Sequence, residues 1–342
     1  MLSRDPPRMR PNAAIAKVVE AFAGKRVLVA GDLMLDRYCS GEVDRISPEA
    51  PVPTVRKVGA HGVPGGAANT ACNVAALGAR VTLFGLTGRD EAGAELRGML
   101  ARRAIDCKHI SIAAGRPTTV KLRIVAHDQQ IVRIDDEETA PIAASLGGEV
   151  VKRAARIMPH VDAVLISDYA KGFAIAPVVA GIIGAAVHCG KPVVVDPKGA
   201  DFERYRGATV VKPNRSELAV LTGLPARHHE ETMHAARQLL RLAGSTAIVV
   251  TEGKDGMTLL RSGLPDEHFP SFAREVYDVT GAGDTALATL AVALAAGAAI
   301  GDAVWLSNLA AGLAVGESGT VAISREKLAN AMAGLRRAPR VR

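Results

Sequence analysis

The chain has 342 residues, 48% apolar and only 3% aromatic, with 34 glycines and a formal charge of +7. That length suits one large α/β domain, and an aliphatic, Gly-rich core excludes a disordered chain and argues against a β-sandwich. The charge sits mostly in two Pro-containing tails: residues 1–10 carry +2 and residues 331–342 carry +4. The lack of aromatics among those arginines argues against a stacking platform for single strands, and 1–11 and 336–342 are expected to be disordered, solvated tails flanking one domain at 12–335.

In chain order, residues 12–23 have helical periodicity, and 26–30 (RVLVA) form an apolar run ending in Gly31-Asp32. Further buried-strand runs fall at 81–86, 163–167, 192–195, 209–211 and 247–250. Helical stretches lie at 67–77, 92–104, 146–158, 175–189 and 232–243, and a long Ala/Leu helix follows Thr285. Alternating strands and helices predict a mostly parallel sheet with helices on both faces, a three-layer α/β sandwich whose sites lie at the carboxyl ends of the strands. Residues 38–58 and 118–135 instead alternate as antiparallel strands, with a turn at His127-Asp128. They read as a small sheet standing off the domain as a lid; the alternative is an extension of the main sheet's edge.

Cys39, Cys72, Cys107 and Cys189 form no CxxC pair, which suits reduced thiols. The N-terminus lacks an apolar signal-peptide region, and the longest apolar run, 286–300, is shorter than the roughly 20 residues that span a bilayer. A cytoplasmic protein without membrane attachment is expected.

Three motifs carry chemistry. DVTGAGD at 278–284 brings successive backbone N–H groups together at a helix start, where anions are favoured. Asp284 beside such a nest suits a base that deprotonates a hydroxyl during phosphoryl transfer; the alternative is a plain helix N-cap. GGAAN at 65–69 offers a close-approach turn and an amide for hydroxyl groups, or simply a Gly-rich helix start. KPNRSE at 212–217 places Asn214 and Glu217 on one face of a helix start, suited to hydrated Mg²⁺, to a capping box, or to both. Neither GxxxxGK[ST] nor GxGxxG occurs, and HRD and DFG kinase signatures are missing.

Together, in this order, these motifs resemble the ribokinase (PfkB) family of carbohydrate kinases. The strings at 31–38, 45–53, 167–172 (SDYAKG) and 196–207 (DPKGADFERYRG) are similar to one branch of it, the D-glycero-β-D-manno-heptose-7-phosphate kinases. The resemblance implies a phosphotransferase that uses ATP and Mg²⁺ to phosphorylate the C1 hydroxyl of the sugar phosphate, and that some members also bind a monovalent cation near Asp278 and Thr280. It implies Asp284 as base, with Gly281, Ala282 and Gly283 as anion hole. Asn214 and Glu217 would hold Mg²⁺-ATP through water, Thr251, Gly253 and Gly256 would line the nucleotide site, and Asn308 and Gly312 would flank adenine. Asp32, Gly65, Gly66 and Asn69 would bind the sugar. Arg45, Lys121, Arg123, Arg133 and Lys171 are candidates for the sugar's phosphate, and Lys198 for either substrate or ATP. In many bacteria this kinase is fused to an adenylyltransferase; an end at Arg342 implies the stand-alone form. A homodimer through the lid sheet is expected. The rival expectations are another sugar or nucleoside kinase of the family and a non-catalytic binding protein on the same fold.

Overall fold

The computed structural model describes residues 13–127, 129–273, 277–317, 319 and 321–337. The expected tail at 1–11, Asp128 of the expected turn, and residues 338–342 of the basic tail lie outside the described residues.

Apolar runs buried on both sides build the nine-stranded main sheet. Its spatial order is β13 (Glu267–Phe269), β12 (Met257–Arg261), β11 (Ala247–Thr251), β10 (Val210–Val211), β9 (Val193–Asp196), β8 (Ala163–Ser167), β1 (Arg26–Gly31), β4 (Arg80–Gly88) and β5 (Ile110–Ala113). From β11 to β5 the pairs are parallel; β12 and β13 add antiparallel at one edge.

Strand alternation divides the core. Val27 and Val29 of β1 join one apolar cluster and Leu28 and Ala30 the other. On the first face pack α1 (Ala13–Glu20), α2 (Ala67–Ala76), α3 (Glu91–Ala101), α8 (Ala282–Ala295), α9 (Ile300–Ala314) and α10 (Arg325–Arg337). On the second pack α4 (Ala144–Ile157), α5 (Ala176–His188), α6 (Arg215–Thr222) and α7 (His229–Ala243). The three layers agree with the sequence-based expectation. Helix α8 is apolar all round and almost wholly buried, as such a composition requires.

A second sheet of four strands runs β3 (Pro53–Gly66), β2 (Leu33–Ile46), β6 (Thr119–Ala126), β7 (Gln129–Asp136). Its first hairpin is longer than the expected 38–58: β2 starts directly after Asp32, and β3 runs straight into α2. The extra stretch of β3 is rich in Gly and Pro, which sequence patterning reads as loop. Here the glycines answer to crowding. A Cβ on Gly65 would overlap the Asp36 carboxylate, and Gly66 takes a φ of 56° at the entry to α2. On one face of this sheet Leu35 and Val120 pack on Ala92 and Met99. The opposite face carries two polar rows, Asp36–Lys121–Asp135 and Tyr38–Arg123–Arg133.

Candidate active site

Helix α8 begins where Gly281 adopts a left-handed φ of 80°. Asp284 falls in the first turn, but its carboxylate makes no capping bond. It points instead across the core. Asn69 Nδ2 donates to Oδ2 at 2.6 Å, and Thr70 Oγ1 and Tyr169 OH each donate to Oδ1 at 2.9 Å. Asn69 and Thr70 come from the first turn of α2, and Tyr169 from the loop after β8. Burial pushes the Asp284 carboxyl up; the bonds from Asn69, Tyr169 and Thr70 and the charge of Lys212 pull it back, leaving it above the ordinary carboxylate range. Among the described residues, no acceptor pairs with the backbone N–H of Gly283 or Asp284, so both face the site as an anion nest.

Beside this turn, β9 ends in Asp196 and Lys212 directly follows β10; their Oδ1 and Nζ are 3.0 Å apart. Lys212 is 2% exposed. Burial lifts Asp196 to about 6; burial also pulls Lys212 down, but Asp196 and Glu217 outweigh it and keep the ammonium charged. Lys198, Lys212, Asn214, Thr251, Gly283 and Asp284 line a cleft of about 190 Å³. It opens at the carboxyl ends of parallel strands, as a doubly wound sheet dictates.

The KPNRSE segment forms a complete capping box. Asn214 Oδ1 accepts from Glu217 N at 2.9 Å, and Glu217 Oε2 accepts from Asn214 N at 3.0 Å. Glu217 Oε1 also accepts from Lys198 Nζ at 3.1 Å, which sets Lys198 beside this segment. Thr251 bridges to Asn214 through the backbone. The following turn contains Gly253, and Gly256 has a φ of 102° where a Cβ would overlap Phe269 O. Buried Glu252 ties this turn to α6 through Arg215 NH2, 2.8 Å away. Asn308 Nδ2 donates to Pro270 O at 2.8 Å, and Gly312 gives room to Phe272, so both hold the 269–273 segment against α9. Nearby, Thr280 N donates to Asp278 Oδ1 at 2.8 Å.

Of the sugar-motif residues, Asn69 reaches Asp284 directly, and Gly65 and Gly66 lead into the helix that carries it. Asp32 is buried, and its oxygens accept from Tyr169 N at 2.9 Å and Phe173 N at 3.0 Å, so it shapes the loop that delivers Tyr169. Four of the five candidate phosphate cations gather on the polar face of the small sheet, each already bonded to a carboxylate. Arg123 meets Asp36 at 2.6 Å, Arg133 meets Asp135 at 2.7 Å, Lys121 meets Asp135 at 2.9 Å, and Lys171 meets Glu137 at 2.6 Å. Arg45 is exposed and lies beyond Gly41, where pairing of β2 with β6 ends.

Residues 25–327 match the family model described as pfkB family carbohydrate kinase. The chain belongs to that family. It is thus a sugar kinase, a phosphotransferase. The kinase is 48% identical over 321 residues to the bifunctional protein HldE of Alcanivorax borkumensis, covering 92% of this chain and 65% of that protein. It is 46% identical to the bifunctional protein HldE of Rhodospirillum rubrum, covering 92% of this chain and 64% of that protein. The chain therefore spans a little less than two thirds of these relatives. Its fold is similar to that of Arabidopsis thaliana ribokinase complexed with ribose and ATP, with a TM-score of 0.74 at 22% identity over 91% of this chain and 99% of that one. Phosphofructokinase-2 from Escherichia coli aligns with a TM-score of 0.75 at 20% identity over 92% of this chain and 100% of that one.

Sequence reading of the kinase missed Thr70, Tyr169, Asp196 and Lys212 as neighbours of Asp284. Tyr169 and Lys212 lie inside strings already singled out, SDYAKG and KPNRSE, but nothing local says that a tyrosine hydroxyl reaches a carboxylate 115 positions later. Arg116 was also missed: it donates to the carbonyls of Ala140 at 2.7 Å and Lys171 at 2.6 Å and fastens the loop that carries Lys171. Among the described residues, no helix is long and apolar enough to cross a membrane.

Proposed function

We propose that the kinase transfers the γ-phosphoryl group of ATP to the C1 hydroxyl of D-glycero-β-D-manno-heptose 7-phosphate, giving the 1,7-bisphosphate for ADP-heptose and lipopolysaccharide core. The observation that carries the reaction type is the Asp284 carboxylate, buried in the cleft beside the N–H groups of Gly283 and Asp284 and the Lys212 ammonium. Asp284 takes the hydroxyl proton, the sugar oxygen forms its bond to the γ-phosphorus, and the bond to the β-phosphate oxygen breaks to release ADP. The N–H nest and Lys212 hold the charge that spreads over the transferring group. Asn69 bonds both Asp284 and, in this reading, the sugar, so it sets the hydroxyl against the base.

The oxygens of Asn214 and Glu217 already accept bonds from Glu217 N, Ser216, Asn214 N and Lys198. They therefore fit a Mg²⁺ that keeps its own waters better than one ligated directly. Bound there, Mg²⁺ would neutralise charge between the nucleotide phosphates. The four-stranded sheet acts as a lid whose polar face closes over the sugar phosphate. Its other face exposes Val132 and Ile134, which supports a homodimer formed through that sheet.

Identity of the sugar rests on the strings at 31–38, 45–53, 167–172 and 196–207 and on kinship with proteins named HldE. A panel of sugars and sugar phosphates, assayed with ATP and Mg²⁺, tests it. Heptose 7-phosphate is expected to give the highest kcat/KM; preference for an unphosphorylated sugar or nucleoside would sink the assignment. Asp284→Asn is expected to lower kcat by about 10³-fold while sugar binding persists.

A further inference from the structure

Glu137 lies between two lysines. Lys171 Nζ donates to its Oε1 at 2.6 Å, and Lys121 Nζ to its Oε2 at 3.1 Å. All three side chains are mostly shielded from water, with relative exposures of 13% for Lys121, 19% for Lys171 and 21% for Glu137. A carboxylate that offers one oxygen to each of two ammoniums occupies the place a phosphate would take, because a phosphate presents oxygens in the same way.

The surrounding charges single out this seat. Arg123 has its own partner in Asp36, and Arg133 holds Asp135 through two bonds, at 2.7 and 2.9 Å. Lys121, Arg123, Arg133 and Lys171 thus face Asp36, Asp135 and Glu137, four cations against three carboxylates. With Glu137 in place the group carries +1. With Glu137 withdrawn it carries +2, the complement of a phosphate dianion. Burial pushes the Glu137 carboxyl up, but the bonds from Lys171 and Lys121 outweigh it and hold the group ionised, below the ordinary range.

The loop that supplies the seat also touches the base. Lys171 is two residues beyond Tyr169, whose hydroxyl bonds Asp284, and two residues of backbone span at most about 7 Å. Lys121 stands in register with Asp36, the residue that lies against Gly65 of the sugar motif. Glu137 follows the end of β7 and belongs to no strand or helix. The backbone after it is held by Arg116, which donates to Glu138 O at 2.5 Å and Ala140 O at 2.7 Å. Withdrawal therefore needs only rotation of one side chain, not movement of the loop.

We propose that Glu137 is a built-in stand-in for the substrate's phosphate: it neutralises Lys121 and Lys171 in the empty enzyme and is displaced when the phosphate of a sugar phosphate binds between them. This rests on the reading that the substrate carries a phosphate distant from the reacting hydroxyl. The device makes the site selective. An anion must outcompete a tethered carboxylate, which a sugar phosphate anchored at both ends does and inorganic phosphate alone does poorly. If the open seat is populated about one-tenth of the time, apparent affinity is about tenfold weaker than intrinsic affinity.

The test is Glu137→Gln, which keeps shape and removes the competing charge, together with Lys171→Met. For Glu137→Gln, the KM for heptose 7-phosphate and the Kd for inorganic phosphate, titrated directly by calorimetry without turnover, are both expected to fall about tenfold. Adding Lys171→Met in that background is expected to abolish the gain in phosphate affinity. If Glu137 were merely a brace, Glu137→Gln would leave phosphate affinity unchanged or weaker and raise KM; that result overturns the proposal. If no sugar phosphate is turned over but Glu137→Gln still tightens phosphate binding in a Lys171-dependent way, the seat stands and the substrate assignment falls.

Discussion

The hydroxyl of Tyr169 lies 2.9 Å from Oδ1 of Asp284 and shares that oxygen with the hydroxyl of Thr70. One carboxylate oxygen thus receives two donors, while Oδ2 receives the amide of Asn69. Oδ2, with a single donor, keeps a lone pair to accept a further hydroxyl. Tyr169 lines the cleft, whereas Thr70 and Asn69 sit on a buried helix turn.

Tyr169→Phe removes a donor that favours the ionised form of Asp284, so the carboxyl rises further. A base works only when deprotonated. The acidic limb of the kcat/KM profile is therefore expected to move to higher pH, with kcat on the plateau reduced less than in Asp284→Asn. A pH–rate profile of the two variants and the native enzyme checks this.

Asp168 is buried against Arg204 and Tyr205, and burial lifts its carboxyl from 3.8 to about 6, with the Arg204 charge pulling it back. In the unfolded chain it has lost its proton by the time pH passes 4, whereas the folded protein keeps it until about pH 6. The proton bound in excess by the folded state makes this group's contribution to stability fall as pH rises through that window, then level off. Asp168→Asn abolishes the titration. The stability of the native protein relative to the variant is expected to decline between pH 4 and 6 and stay flat above, measured by thermal unfolding at fixed ionic strength.

Lys212 and Asp196 form a buried ion pair 3.0 Å apart. Lys212→Met leaves the Asp196 charge buried and uncompensated, and is expected to cost about 3–5 kcal/mol in denaturant unfolding. Combining it with Asp196→Asn is expected to recover most of that loss. Turnover stays low in both variants, because the ammonium in the cleft is gone. Recovery of stability together with activity would show that Lys212 serves the fold alone.

Gly66 and Gly148 make a contrasting pair. Gly66 has a φ of 56°, and a Cβ there would meet Asp32 O and the Met34 side chain. Gly66→Ala is expected to destabilise by about 1–3 kcal/mol and to raise the KM for the sugar phosphate, since the turn presents Asn69. Gly148 lies in α4 with nothing within 4 Å of its Cβ position. Gly148→Ala is expected to stabilise by about 0.5–1 kcal/mol and leave kinetics unchanged. Thermal melts and steady-state kinetics on the two variants measure both.

Much of this architecture is written locally. Strand 163–167 coincides with β8, and 26–30 and 247–250 each fall one residue short of β1 and β11, because unbroken aliphatic runs are what a sheet covered on both faces demands. The glycines of 281–283, the helix start at Asn214 and the paired glycines before α2 are likewise local, since turn and cap chemistry acts over three or four residues. The small sheet was legible as two antiparallel hairpins, but neither the parallel pairing of β2 with β6 that joins them nor the full length of the first was, because Gly62, Pro64, Gly65 and Gly66 speak against a strand, and only the fold shows Glu95 close against Gly62 and Asp36 against Gly65.

What the sequence by itself determined was therefore the layered fold, the position of the glycine turn at 281–283 and the carboxylate, Asp284, proposed as the base. Only the tertiary structure decided the company Asp284 keeps: Asn69, Thr70 and Tyr169 arrive from 115 to 215 positions away. It also decided that Lys212 is matched by Asp196 and that Lys121 and Lys171 share Glu137. The reason is physical. Hydrophobic period and turn residues act within a few positions of themselves, whereas which charge meets which, and which carboxylate is stripped of water, depends on how distant elements pack.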